Sequence, residues 1–284
     1  MNVLLRLDEV MLKGNNQSSF VDRLLQNIRT LFPGTRARRV SCGVYIENAL
    51  PAALAEFRLI PGVAKVAPAV FVEPTLEQMK VGLGELLAGT ESKTFRLTCS
   101  RSDKSFPLNS LQIVRELGAW VAEKYAWKVN LKNFDLEIEI FIGREGVALA
   151  VKAEAGVGGL PTGSSGKVVS LLSGGIDSPV ASYSMMKRGA EVILVHIQNQ
   201  TTVTEAVSQK IIGHRPRFTR RVLPPATQLE SVSCAFRPLR RGRGHGTKDY
   251  RCSKKSNLKL ARARPLPPHA KRLLTLPKAL PAEA

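Results

Sequence analysis

Val168-Val169-Ser170-Leu171-Leu172-Ser173-Gly174-Gly175-Ile176-Asp177-Ser178 is the stretch on which the fold turns. Val168 to Leu172 is a short apolar run and reads as a buried parallel strand. Ser173-Gly174-Gly175 reads as a loop. Asp177 to Arg188 reads as a helix. Pro179 falls in its first turn, where a missing N–H costs little, and Gly189 serves as its C-cap. Glu191 to Ile197 reads as a second buried strand. Strand, helix, strand predicts a parallel pair with a right-handed crossover, the start of an α/β sheet.

The loop has a chemistry of its own. Glycines let the backbone approach a polyanion. The first helical turn offers unpaired N–H groups and the positive end of the dipole. Ser173 and Ser178 add hydroxyl donors. Asp177 cannot hold a phosphate, so its role is to bind a magnesium ion or to cap the helix. No G-K-[ST] follows at Walker A spacing, so ordinary γ-phosphate transfer is not implied. The bland alternative is a glycine turn before an ordinary helix. His196 stands at a strand's C-terminal end, where α/β ligands bind; it reads equally well as a polar strand-end residue.

Toward the N-terminus the elements change character. Asn2 to Asp8, Ser18 to Phe32, two short strands within Arg36 to Glu47, Ala52 to Phe57 and Val63 to Val72 give a β-α-β-β-α-β order, which suggests a ferredoxin-like unit. A second unit follows: helix Thr75 to Leu87, strand Thr94 to Cys99, helix Leu108 to Lys124, and the hairpin of Leu136 to Ile142 with Gly146 to Ala153. Leu136 to Ile142 alternates, which predicts one buried face and one wet face. Gly156 to Gly166, glycine-rich with one proline, reads as a linker. Lys13, Arg101 and Lys104 are candidate phosphate contacts, against solvated surface charge as the plain reading. Phe106, Trp120, Trp127 and Cys99 read as packing residues.

The chain has 284 residues, 44% of them hydrophobic, and a formal net charge of +19. The charge is uneven. Residues 213–284 hold 18 Lys and Arg against 3 Asp and Glu, and 9 of the 17 prolines. No sustained period runs through this stretch. A basic disordered RNA-binding tail is one reading. The other is a shifted reading frame, favoured by the abrupt break in the helical pattern of Thr204 to Ile212. The four cysteines, Cys42, Cys99, Cys234 and Cys252, form no C-x-x-C pair and fit neither a zinc site nor a disulfide framework. A reducing cytoplasm is the expected setting. No signal peptide or apolar run of membrane length is read from the sequence.

At this point the sequence resembles a known family. Ser173 to Ala181, S-G-G-I-D-S-P-V-A, is similar to the PP-loop of ATP pyrophosphatases. The wider run Gly158 to Ala181 resembles the tRNA 4-thiouridine synthase (tRNA uracil 4-sulfurtransferase) family. Arg6 to Asn16 is similar to that family's R-x-x-E-x-x-L-K-G opening, with Leu7 and Asp8 in place of the usual Tyr and Gly. Arg101 to Gly118 is similar to its THUMP segment, and Val129 to Asp135 to its V-[DN]-L-x-x-P-D stretch, with Phe134 in place of proline. The resemblance covers about residues 1–212.

The resemblance implies an α+β then α/β chain. Its parts are a ferredoxin-like domain (1–52), a THUMP RNA-binding domain (53–154), a linker (155–166), the first β-α-β of a PP-loop, adenine nucleotide alpha hydrolase-like sheet (167–212), and an irregular basic tail (213–284). It implies ATP and Mg2+ on Ser173, Gly174, Gly175, Asp177 and Ser178, with Leu171, Leu172, His196 and Ile197 lining the adenine site. It implies tRNA as partner, gripped at its acceptor region by the ferredoxin-like and THUMP domains. Uracil O4 at tRNA position 8 would attack the α-phosphate and release pyrophosphate. Persulfide sulfur originating from a cysteine desulfurase would then displace AMP. A homodimer and a role in thiamine thiazole synthesis follow by resemblance. A tRNA-binding fragment without activity, or another PP-loop tRNA-modifying enzyme, are the alternatives. The family's later catalytic strands and its sulfur-handling cysteine find no counterpart after Ile212.

Overall fold

A computed structural model describes residues 1–7, 9–12, 14–171, 175–199 and 229–234. The chain divides into two units, Met1–Val232 and Ser233–Ala284; all described residues but the last two belong to the first.

The first elements are β1 (Val3–Arg6), α1 (Gln17–Leu31), β2 (Arg36–Val40), β3 (Gly43–Glu47), α2 (Ala53–Phe57) and β4 (Lys65–Val72). Their strand order, β2-β3-β1-β4, is that of a ferredoxin-like sheet. Alternation along β1 decides the packing. Val3 and Leu5 point toward the helices and join Val21, Leu24, Leu25 and Ile28 of α1 in one core, while Leu4 points the other way. Phe57, Ile60, Val63 and Val66 belong to the same core, so it runs on past residue 52.

Next come α3 (Leu76–Leu87), β5 (Thr94–Arg101), α4 (Ser110–Tyr125), β6 (Lys128–Val129), β7 (Leu136–Gly143), β8 (Gly146–Val151) and β9 (Glu154–Ala155). Thr75 caps α3 by accepting from the Gln78 N–H at 3.2 Å. Asn109 and Gln112 form a reciprocal capping box on α4. Met79, Leu83, Ile113, Leu117 and Val121 press onto Phe95, Leu97, Ile138, Ile140 and Leu149. Phe106 and Trp120 pack against this core and Trp127 is buried in it, as the packing readings require.

β4 joins the two halves. Lys65–Pro68 pairs with β1, and Ala69–Val72 pairs with β8. The sheet folds over at this strand, so the helix-free faces of the two halves meet. Leu4, Val40 and Tyr45 from one half pack with Phe141, Ala148 and Ala150 from the other, with Ala67 and Ala69 at the corner. The small alanines let the two faces close tightly.

This closure corrects the expectation for Leu136 to Ile142. Both faces of β7 are largely buried. Leu136, Ile138, Ile140 and Ile142 face the helices, while Glu139 and Phe141 face the other half-sheet rather than water. Charges in an alternating strand read as a wet face; here Arg6 and Lys65 reach Glu139 across the fold.

The stretch 155–166 is also more than a linker. The Gly156 and Gly158 N–H groups donate to the Ala64 and Val63 carbonyls at 2.8 Å each. Leu160 is buried in the first core and Thr162 is buried beside α1, where Asn27 Nδ2 donates to its carbonyl at 3.0 Å. Glycine at 156 serves close approach, since a Cβ there would collide with the Val63 carbonyl.

A separate sheet follows, built of β10 (Lys167–Leu171), β11 (Glu191–Asn199) and β12 (Leu229–Cys234) in the order β10-β11-β12, with α5 (Asp177–Lys187) between the first two. β10 and β11 are parallel, as expected. β12 places a regular strand inside the stretch read as an irregular tail. The remainder of 213–284, and with it the reading of that stretch as disordered, lies outside the described residues.

Candidate functional site

The candidate site begins where β10 ends. Leu171 pairs with Val195, so His196 and Ile197 continue β11 just past the last partner of β10. That is the end from which the glycine loop leaves, and the end at which parallel α/β sheets bind ligands. Leu172, Ser173 and Gly174 lie outside the described residues. Gly175 and Ile176 lead into α5.

The helix is fastened to its strand by hydroxyls. Ser182 is fully buried; its Oγ lies 2.8 Å from Ser170 Oγ on β10 and 2.7 Å from the Ser178 carbonyl. At the far end, the Gly189 N–H donates to the Met186 carbonyl at 2.9 Å and the Ala190 N–H to the Met185 carbonyl at 3.1 Å. This is a Schellman cap, and Gly189 takes the left-handed φ of +89° it needs. A Cβ there would also strike Ser164 and Ser165 of the preceding strap.

Asp177 is the first residue of α5 and is exposed. It does not cap the helix: the N-cap position is Ile176, whose side chain cannot accept a hydrogen bond. Asp177 therefore offers a carboxylate at the mouth of the loop, a hard oxygen donor of the kind magnesium takes. Pro179 is buried in the first turn, where it removes an N–H that has no helical partner. Ser178 lies in the same turn. A glycine loop, the positive end of a helix dipole and one carboxylate fit a nucleotide polyphosphate with a hard cation. No group of three or more His, Cys, Asp or Glu that could hold a metal exists among the described residues, so Asp177 would share such an ion with phosphate oxygens.

β10 departs from expectation. Val169 and Leu171 are each 62% exposed, on a face of this strand that no described element covers. Val192 and Leu194 of β11 are buried with Met186 and Ala190.

Of the candidate phosphate contacts, Lys13 lies outside the described residues. Arg101 is spent internally: its guanidinium donates to the carbonyls of Asp103 at 3.3 Å, Phe106 at 3.1 Å and Leu108. It braces the loop after β5 rather than reaching outward. Lys104, at the crest of that loop, is exposed. Asp135, quoted in the sequence only as the end of a motif, ties β5 to the start of β7 by accepting from Thr94 Oγ1 at 2.9 Å and the Thr94 N–H at 3.0 Å.

Three family models match in order: the ThiI ferredoxin-like domain over residues 2–67, the THUMP domain over 75–152, and the thiamine biosynthesis protein (ThiI) over 163–216. The chain is 37% identical over 245 residues to a probable tRNA sulfurtransferase of Listeria innocua, covering 81% of this chain and 61% of the relative. It is 39% identical over 225 residues to one of Thermus thermophilus, covering 75% and 54%. It thus spans little more than half the length of these curated relatives. Among solved structures it is similar to a 4-thiouridine synthetase–RNA complex with bound ATP, at TM-score 0.66 and 26% identity over 82% of this chain and 61% of that one. It is also similar to PH1313 from Pyrococcus horikoshii, at TM-score 0.70 and 26% identity over 81% and 79%.

Fold and site together define a THUMP-domain protein with a parallel strand–loop–helix unit attached. The chain belongs to the tRNA sulfurtransferase family.

Proposed function

We propose that this protein works in ATP-dependent sulfur transfer to tRNA, forming 4-thiouridine. The observation that carries the reading is a glycine loop between a parallel strand and a helix, strapped by residues 156–166 to a ferredoxin-like and THUMP platform in one chain. The platform would hold the tRNA. The glycine loop and the positive end of α5 would hold the nucleotide phosphates, and Asp177 the accompanying magnesium. ATP, when bound, would supply the activation of the uracil oxygen as an adenylate. Cysteine desulfurase as the sulfur source, a homodimer, service to thiamine synthesis and a cytoplasmic setting belong to the same reading through the family resemblance. No helix of the described residues is long and apolar enough to cross a membrane.

The test is direct. The purified chain is incubated with unmodified tRNA, ATP, Mg2+, cysteine and a cysteine desulfurase, and 4-thiouridine is followed by its near-ultraviolet absorbance. Growth of that signal, and its loss in Asp177→Ala, supports the reading; binding of tRNA without any signal refutes it for this chain. A second reading, an RNA-gripping protein without transfer activity, is favoured by one observation. β10 leaves Val169 and Leu171 bare, whereas a complete parallel sheet buries both faces.

A further inference from the structure

Folding of the sheet at β4 brings together turns that strand order would keep apart. Five strand spacings separate β2 from β7, roughly 24 Å in a flat sheet at about 4.8 Å each. Yet the Ser41 N–H, just after β2, donates to the Glu145 carboxylate, just after β7. A Cβ on Gly143 would collide with Ser41 Oγ. The loop after β5 joins the same rim. Its Ser102 and Asp103 N–H groups both donate to the Ile142 carbonyl, at 2.9 and 3.4 Å. The Arg101 guanidinium, bonded to three carbonyls, fixes the rest of that loop in shape.

The charges on this rim fall into two groups. The acids are engaged with backbone: Asp103 accepts from the Ser105 N–H at 2.9 Å, and Glu145 from Ser41. Lys104 and Arg144 are exposed and make no hydrogen bond or ion pair with a described residue, although Arg144 lies within electrostatic reach of Asp103. Two solvated cations therefore stand on adjoining turns that backbone hydrogen bonds hold together. Such an arrangement suits successive phosphates of a nucleic-acid backbone, which need charge at fixed spacing and no base-reading groups. Lys104 is legible in the sequence as a candidate phosphate contact; Arg144 is not, because it sits in an ordinary hairpin turn.

We propose that Arg144 and Lys104 form a two-point phosphate clamp for the RNA backbone on the seam between the ferredoxin-like and THUMP halves. This rests on the reading that the protein grips tRNA, and it adds the place and the residues.

The test is binding of unmodified tRNA to the full chain by filter retention at several salt concentrations. Arg144→Glu, Arg144→Gln and Lys104→Glu are compared with Lys132→Glu. Lys132 follows β6, which pairs with the start of β5, so it lies at the opposite end of the domain, about 20 Å away. Loss of a phosphate contact weakens binding and lowers the slope of log affinity against log salt by about one. The rim variants are expected to bind several-fold more weakly with that change in slope, and Lys132→Glu to match the wild type. Equal behaviour of Arg144→Glu and Lys132→Glu, while the wild type binds, overturns the clamp. Absence of tRNA binding by the wild type overturns the functional reading instead.

Discussion

Arg6 and Glu139, 133 residues apart in sequence, meet in a 2.7 Å ion pair across the folded sheet. Arg6 also lies over the Phe141 ring at 4.8 Å, and Lys65 stands 3.8 Å from the same carboxylate oxygen. Glu139 is buried, and its second oxygen has no hydrogen-bond partner among the described residues. Removing one member of a buried pair strands a charge in low dielectric, which costs about 3–5 kcal/mol when burial is complete. Arg6 keeps 29% of its side chain exposed and Lys65 remains, so Arg6→Ala is expected to cost less, about 2 kcal/mol. Urea unfolding measures it. Arg6→Ala combined with Glu139→Gln should cost less than the two single changes added. A midpoint for Arg6→Ala equal to the wild type would show that apolar contacts alone close the seam.

Asp135 provides a pH-dependent contact at the other edge of the second core. Hydrogen bonds from the Thr94 side chain first, then from the Thr94 and Lys93 amides, hold its carboxyl below the usual carboxylate range. The folded state therefore binds the proton less readily than the unfolded state. The contribution is present above the ordinary aspartate value, about 4, and is lost as pH falls through the lower folded value. Asp135→Asn should unfold at lower denaturant than the wild type at pH 7, and the gap should close in the acid range below about pH 4. A gap that stays constant with pH would assign the effect to shape, not charge.

Much of this fold is legible in the sequence because it is local. The apolar spacing of Phe20, Leu24, Leu25, Ile28 and Leu31 gives α1, and the alternation of Leu136 to Ile142 gives β7. The glycine loop is legible because only glycine and small polar residues suit a backbone that faces phosphate. What escapes is long-range. Glu139 looks solvated until Arg6 arrives from the first strand. Arg101 looks like an RNA contact until the carbonyls of its own loop are seen to take its donors. Residues 156–166 look like a linker because glycines mark both flexible chain and close backbone approach, and composition does not separate the two.

That strap supplies a third prediction. Leu160 fills a place in the first core, and its N–H donates to the Lys187 carbonyl at 2.9 Å, so one residue ties the ferredoxin-like half to the end of α5. Leu160→Ala should destabilise by about 2–5 kcal/mol, the range for deleting a buried leucine side chain. It should also open the strap to limited proteolysis between residues 156 and 166 before the rest of the domain is cut. Protease resistance equal to the wild type would show that the backbone hydrogen bonds suffice.

The bare face of β10 gives the last. Val169 and Leu171 are exposed on the strand, and Ile176 (76%) and Val180 (56%) are exposed where α5 begins. Val169 and Leu171, two apart on one strand face, bare apolar surface of a kind seldom left to water in a folded protein. The native chain should therefore bind an apolar dye such as anilinonaphthalene sulfonate. Val169→Thr with Leu171→Thr removes apolar surface while keeping good strand formers in place of Val and Leu. The double variant should bind less dye, with the urea midpoint of the first nine strands unchanged, because those strands hold separate cores. Undiminished dye binding would place the exposed surface elsewhere, and a shifted midpoint would show that β10 helps to hold the platform.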